Sequence, residues 1–242
     1  MPIELLKTWV DDMWSNWVLR CLAGIGALVV FSCGSPTLEF TAHRGASYDA
    51  PENTLAAFNL AWEQGADAIE GDFYLTNDGK IVCIHDKSAL RTAGVDLDIA
   101  ASTLAQLRNL DFGSWKDVKW RSEKIPTLEE VIATIPENKK LFIEIKCGPE
   151  IIPELKKTIE NSTLTSGQII IISFSREVIA AAKQALPQIN AFWLTSFNQT
   201  NDGNTWEPSI GEILVILKDI QADGLDCRAH ESIDEIFVKE LK

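Results

Sequence analysis

Gln168-Ile169-Ile170-Ile171-Ile172-Ser173-Phe174 is an apolar run flanked by polar residues. It is too short for a core helix, it is β-branched, and it is apolar at both odd and even positions. Those features suit a strand covered on both faces, as in a parallel sheet packed under helices. Upstream of it, residues about 150–160 read as a helix and Leu141-Phe142-Ile143-Glu144-Ile145-Lys146 as a strand. Downstream, a helix over about 176–186 leads to the strand Ala191-Phe192-Trp193-Leu194. A loop around 201–204, a helix over about 209–219, a weak strand at 222–226 and a last helix from near Glu231 follow.

The same rhythm extends toward the N-terminus. Residues 38–42 read as a strand ending at His43, and Asn53 as the cap of a helix that stops at Gly65. Ala68–Leu75 is a strand, turned back at Asn77-Asp78-Gly79 into a hairpin partner over 81–85. Residues 87–126 are irregular, with one short helix over 103–109, and Thr127 with Glu130 forms a capping box. Repeated βα units predict a parallel α/β sheet with ligands at the carboxyl ends of its strands. Six candidate strands plus the hairpin strand fall two short of a closed eightfold barrel.

Composition narrows the function classes. The chain has 242 residues, 46% of them apolar and 24% charged, enough for one sizeable core. A net charge of -13 argues against nucleic acid as a partner, because backbone binding needs a concentrated positive footprint. It leaves small phosphorylated substrates open, since a bound cation reverses the local field. Five cysteines show no paired metal-ligand spacing, and Cys83 and Cys147 read as small core residues.

Residues 1–36 stand apart. Cys21–Phe31 is an unbroken apolar run of 11 residues, too short to span a bilayer alone. One reading is a secretory signal ending in Ser32-Cys33-Gly34, with Cys33 lipidated and the protein exported or membrane-anchored. The other is an added amphipathic helix presenting Trp9, Met13, Trp14 and Trp17, lying on a membrane or on the barrel. The first is favoured over a cytoplasmic protein, although Glu4, Asp11 and Asp12 dilute the positive region such signals carry.

Two of the three histidines, His43 and His85, end strands; His230 reads as a surface or capping residue. Glu70 and Asp72 are two apart on one strand, so they share a face. Glu144 sits alike within Leu-Phe-Ile-Glu-Ile. Charges in such apolar stretches need a positive partner. Three convergent carboxylates describe a hard-ion site for one divalent cation, Mg²⁺ or Ca²⁺. The competing reading is a salt-bridge network with Arg44 and Lys146. Those two cations are also natural phosphate partners, and with two histidines they suit phosphoryl transfer.

His43-Arg44-Gly45, Pro51-Glu52-Asn53-Thr54, Glu70-Gly71-Asp72, Leu75-Thr76-Asn77-Asp78-Gly79, His85-Asp86 and Ile143-Glu144-Ile145-Lys146 together resemble the glycerophosphodiester phosphodiesterase family. The resemblance runs from about residue 40 to 228. It implies a TIM (β/α) barrel spanning residues 37–242, with residues 87–126 as a small insertion at the substrate entrance. It implies metal-dependent cleavage of glycerophosphodiesters to sn-glycerol 3-phosphate and an alcohol. By the same match, His43 and His85 are the acid/base pair, and Glu70, Asp72 and Glu144 the metal ligands. Arg44 and Lys146 hold phosphate, and Glu52 is a further contact near the metal or glycerol. Family members carry two more strands, with an aromatic residue ending the seventh. The expectation here is therefore a barrel incomplete at its C-terminal end: a fragment, a truncated product, or one closed in another way. Two alternatives stand beside hydrolysis: phospholipase D-like cleavage of sphingomyelin or lysophospholipid, and a non-catalytic phosphate- or lipid-binding protein.

Overall fold

The computed structural model describes residues 39–200, 206–228, 230 and 233–241. The expectations for residues 1–36, Cys33 included, and for the loop at 201–204 lie outside the described residues. Among those residues, no helix is long and apolar enough to cross a membrane.

Six parallel strands form one curled, open sheet, and a seventh joins it antiparallel. In chain order the elements are β1 (Thr41–Ala42), α1 (Leu55–Glu63), β2 (Ala68–Leu75) and β3 (Ile81–Cys83). Next come α2 (Leu90–Ala93), α3 (Leu104–Leu107), α4 (Leu128–Ile132), β4 (Lys140–Ile145) and α5 (Ile152–Glu160). The chain continues through β5 (Ile169–Ser173), α6 (Arg176–Ala185), β6 (Asn190–Thr195), a small ribbon of β7 (Asn198–Gln199) and β8 (Trp206–Glu207), α7 (Ile210–Asp219), β9 (Gly224–Cys227) and α8 (Glu235–Leu241). The sheet order is β1-β2-β4-β5-β6-β9, with β3 hydrogen-bonded to β2. This is a half-barrel of the TIM type, open as the strand count predicts.

Alternation along the strands divides the two faces. Ile69, Phe73, Leu141, Ile143, Ile171, Ala191 and Trp193 face the helices and join Phe58, Val131, Leu155 and Val178 in the main core. The opposite, concave face carries Glu70, Asp72, Phe142, Glu144, Ile172, Phe192 and Leu194. Gly71 stands between the two acids on the core side. A Cβ there would come within 3.2 Å of the Phe58 and Phe73 rings and within 3.0 Å of Cys83 Sγ, closer than side chains pack. Cys83 is buried, as expected of a core residue, and Cys147 is half-buried.

Local signals differ from the expectations at a few ends. Thr54, not Asn53, caps α1: its hydroxyl accepts from the Ala57 N–H at 3.2 Å. Asn53 takes a left-handed φ of 58° and turns its amide to β2 instead. β1 is shorter than expected, because its ladder begins only at the Thr41–Ala68 pair. The hairpin strand ends at Cys83. Thr127 and Glu130 do form the capping box of α4. The last helix begins at Glu235, where the Asp234 carboxylate accepts from the Phe237 N–H at 2.8 Å. Residues 87–126 fold over a second small core of Val82, Ile84, Ala89, Ile99, Leu107, Phe112 and Ile125. The helix expected at 103–109 is the single turn α3, closed by a capping box from Thr103 and Gln106.

Candidate active site

The carboxyl ends of β1, β2 and β4 bring the polar residues of the concave face together. Asp72 is the register partner of Glu144, so adjacent parallel strands place the two carboxylates side by side. Glu70 precedes Asp72 by two residues on the same face. One oxygen from each of Glu70, Asp72 and Glu144 lies within 4.8 Å of the others, and all three residues are buried.

Each carboxylate has one oxygen oriented from outside the trio. Glu70 Oε2 accepts from the Arg44 backbone N–H at 2.9 Å, offered by a residue at φ 58°. Asp72 Oδ2 accepts from the Asn53 amide at 2.7 Å and lies 3.2 Å from Arg44 Nε. Glu144 Oε1 accepts from Lys146 Nζ at 2.7 Å. The inner atoms are treated differently: Glu70 Oε1 and Asp72 Oδ1 are buried without a hydrogen-bond partner. Lys146 Nζ stands 3.5 Å from Asp72 Oδ1, a charge contact and not a hydrogen bond. Buried, unpaired carboxylate oxygens are costly. A divalent cation between them removes that cost, so the residues present fit such an ion.

Electrostatics agree with the geometry. Burial raises the Glu70 carboxyl well above its ordinary range, and the Asp72 and Glu144 charges add to the effect. Burial also raises Glu144; its bond to Lys146 opposes this and the Asp72 charge reinforces it. Burial is the larger cause of both shifts, and the neighbouring carboxylates add to it. The salt bridges of Arg44 and Lys146 therefore coexist with an incompletely neutralised trio.

A cavity of about 890 Å³ on the concave side is lined by His43, Arg44, Glu70, His85, Glu144 and Lys146. Its far wall is largely apolar, with Phe142, Phe174, Phe192 and Leu194. His43 lies 3.8 Å from Glu70 through Nε2, and its side chain remains 67% accessible. Partial desolvation, and then the Arg44 charge, lower its pKa and favour the neutral ring. His85 Nδ1 lies 2.7 Å from Asp86 Oδ1. Asp72 sits below the cavity floor at 0% exposure.

Glu52, expected near metal or glycerol, faces two guanidinium groups: Arg44 Nη1 at 3.0 Å, and Arg91 through Nη2 at 2.8 Å and Nη1 at 3.0 Å. Burial works to raise its carboxyl, but the Arg91 and Arg44 interactions outweigh this and hold it below its ordinary range. His230 packs against the Phe197 and Trp206 rings, outside the carboxylate trio. Sequence reading missed Asn53 as the support of Asp72, marked Asp86 only as part of the His85-Asp86 pair without a role, and did not single out Arg91. Asn53 lay within a quoted motif but was read as a helix cap, whereas Arg91 reaches Glu52 across 39 residues.

The glycerophosphoryl diester phosphodiesterase family model matches residues 43–220. A glycerophosphodiester phosphodiesterase of Caldanaerobacter subterraneus is 40% identical over 153 residues, which are 61% of this chain and 63% of that protein. One from Bacillus subtilis is 32% identical over 175 residues, 65% of this chain and 59% of that one. The chain thus spans less than two thirds of either relative's length. Among solved structures, an Oleispira antarctica phosphodiesterase in complex with the product sn-glycerol-3-phosphate superposes with a TM-score of 0.70. It is 32% identical, and the match covers 78% of this chain and 74% of that one. A Thermotoga maritima glycerophosphodiester phosphodiesterase gives a TM-score of 0.64 at 25% identity, covering 84% and 80%.

Proposed function

The chain belongs to the glycerophosphoryl diester phosphodiesterase family, and from that premise we propose that it hydrolyses glycerophosphodiesters to sn-glycerol 3-phosphate and an alcohol. One observation carries the reading. Three buried carboxylates, two of them with an unpaired inner oxygen, stand at a cavity lined by two histidines, an arginine and a lysine. The Oleispira antarctica relative, with sn-glycerol 3-phosphate as its product, supports the choice of substrate class.

Glu70, Asp72 and Glu144 would hold one divalent cation, Mg²⁺ or Ca²⁺, since all three offer hard oxygen donors. Such an ion supplies charge neutralisation and polarisation of phosphoryl oxygens. Lys146 and Arg44 stand beside the trio and offset the remaining phosphate charge. The alcohol portion of the substrate would lie against the apolar wall.

The net reaction consumes one water. The phosphorus–oxygen bond to the alcohol breaks, and an oxygen from water completes the phosphate monoester. One histidine takes a proton from the attacking oxygen and the other gives one to the departing alcohol oxygen. His43 and His85 come from different strand ends, β1 and β3, so they can serve opposite ends of this axis. A neutral His43 near pH 7 is competent to accept a proton.

Release of glycerol 3-phosphate from glycerophosphocholine tests the proposal directly. Activity should disappear with a chelator and return on adding Mg²⁺ or Ca²⁺. No release under any of these conditions would end the reading.

A further inference from the structure

One side chain from the insertion ties the two halves of the polar site together. Arg91 Nε donates to Asp86 Oδ2 at 2.6 Å, and both Nη atoms grip the Glu52 carboxylate. Asp86 accepts, through its other oxygen, from His85 Nδ1 at 2.7 Å. Glu52 in turn accepts from Arg44, whose Nε rests on Asp72. The result is a continuous chain: His85, Asp86, Arg91, Glu52, Arg44, Asp72. A carboxylate only accepts, so the Asp86 contact puts the proton of a neutral His85 on Nδ1. That leaves Nε2 as the nitrogen for proton transfer. The Arg91 hydrogen bond is the largest influence holding the Asp86 carboxyl below its ordinary range, and keeps it an ionised acceptor.

The backbone carrying Arg91 is anchored. Ala89 is fully buried in the small core, the Ala89 N–H donates to Leu97 O at 3.0 Å, and Gly94 ends the turn at φ 71°. Only a guanidinium can hold one carboxylate through Nε and another through its Nη pair at once; an ammonium has no such fork.

We infer that Arg91 is a positioning residue, clamping Asp86 and Glu52 so that His85 is kept as its Nδ1–H tautomer with Nε2 available for the reaction. This rests on the proposed hydrolysis for its kinetic consequence but not for its structural one. Arg91 and Asp86 are well exposed, and the more buried Glu52 keeps Arg44 at 3.0 Å as a partner, so the fold should survive loss of Arg91. Misplacing a proton-transfer group is far more damaging to rate.

The full chain labelled with ¹⁵N, carrying Arg91→Ala, Arg91→Lys or Asp86→Asn, gives the test. Nuclear magnetic resonance of the His85 ring nitrogens should show the Nδ1–H tautomer in the wild type and a mixture, or the Nε2–H form, in Arg91→Ala and Asp86→Asn. On glycerophosphocholine, Arg91→Ala should lower kcat by about 10–100-fold with KM changed less than about threefold. Arg91→Lys should recover only part of the loss. An unchanged His85 tautomer in a folded Arg91→Ala would overturn the inference, as would wild-type kcat in that variant. If Arg91→Ala fails to fold, Asp86→Asn decides by the same two readouts. If the wild type releases no glycerol 3-phosphate, the proposed function fails, and the tautomer measurement still decides the role of Arg91.

Discussion

Asn53 holds Asp72 twice: its amide donates to Asp72 Oδ2 at 2.7 Å, and its carbonyl oxygen accepts from the Asp72 backbone N–H at 3.2 Å. That oxygen also receives the Cys83 thiol at 3.1 Å. Asn53 reaches this position through a φ of 58°, which asparagine tolerates better than most residues. Removing the amide takes away its hydrogen bond to Asp72 Oδ2 and leaves that oxygen held by the Arg44 charge at 3.2 Å. Asn53→Ala should weaken divalent-cation binding by about 10–100-fold, the usual effect of losing an outer support of a metal ligand. Isothermal calorimetry with Mg²⁺ and Ca²⁺ measures it, and unchanged affinity would remove Asn53 from the site.

The carboxylate trio makes the metal-free protein sensitive to high pH. The folded-state pKa of Glu70 lies above its ordinary value of 4.5, so the folded chain keeps this proton to higher pH than the unfolded chain. The associated stability is fully present below about pH 4.5 and is lost as pH rises through the folded pKa. Glu144 contributes in the same direction. In chelator at pH 8, Glu70→Gln should raise Tm by roughly 2–4 °C, the shift that about 1 kcal/mol produces in a domain of this size. At pH 4 the gain should vanish. With a divalent cation the order should reverse, because the ion replaces protons and favours the native carboxylate. A variant that melts lower than wild type in chelator at pH 8 would refute this account.

The two histidines should be separable by kinetics. His43→Ala and His85→Ala are each expected to lower kcat by roughly 10²–10⁴-fold while leaving cation affinity nearly unchanged. The double variant should lose less than the product of the two effects. A substrate with an activated leaving group should rescue the variant lacking the acid and not the one lacking the base. Wild-type kcat in either single variant would exclude that residue from proton transfer.

Gly45 follows the two residues that begin the site and has a φ of 76°. A Cβ there would lie 2.7 Å from the backbone carbon of Ala57 in α1. Backbone cannot yield as a flexible side chain does, so Gly45→Ala should destabilise the fold by about 1–3 kcal/mol. It should also displace the Arg44 N–H from Glu70. Urea denaturation measures the first effect, and cation titration of the folded fraction the second.

The expectation for Cys33 is open to a fractionation experiment. If the residue is lipidated, the mature protein begins there and sediments with membranes, and Cys33→Ser releases it or blocks processing. An intact Met1–Lys242 chain in the soluble fraction, identified by mass spectrometry, would reject export.

Much of this protein was legible without coordinates, for reasons local to the chain. The isoleucine run at 169–172 marks a strand buried on both faces, and β5 is buried at every position. The spacing of two between Glu70 and Asp72 puts them on one face of any strand. Thr127 and Glu130 announce a helix start through contacts three residues apart. Strand periodicity decides which face a residue occupies but not which strand lies alongside. The partnership of Asp72 with Glu144, 72 positions later, is a matter of register and so of tertiary structure. The same holds for Asn53, whose left-handed backbone turned an apparent helix cap into the support of Asp72. It holds for Arg91, an ordinary exposed arginine in sequence until folding of the insertion sets it between Glu52 and Asp86. Local chemistry determined the elements and the faces of their charged residues; only long-range packing decided which charges meet, because that depends on neighbours the local pattern does not encode.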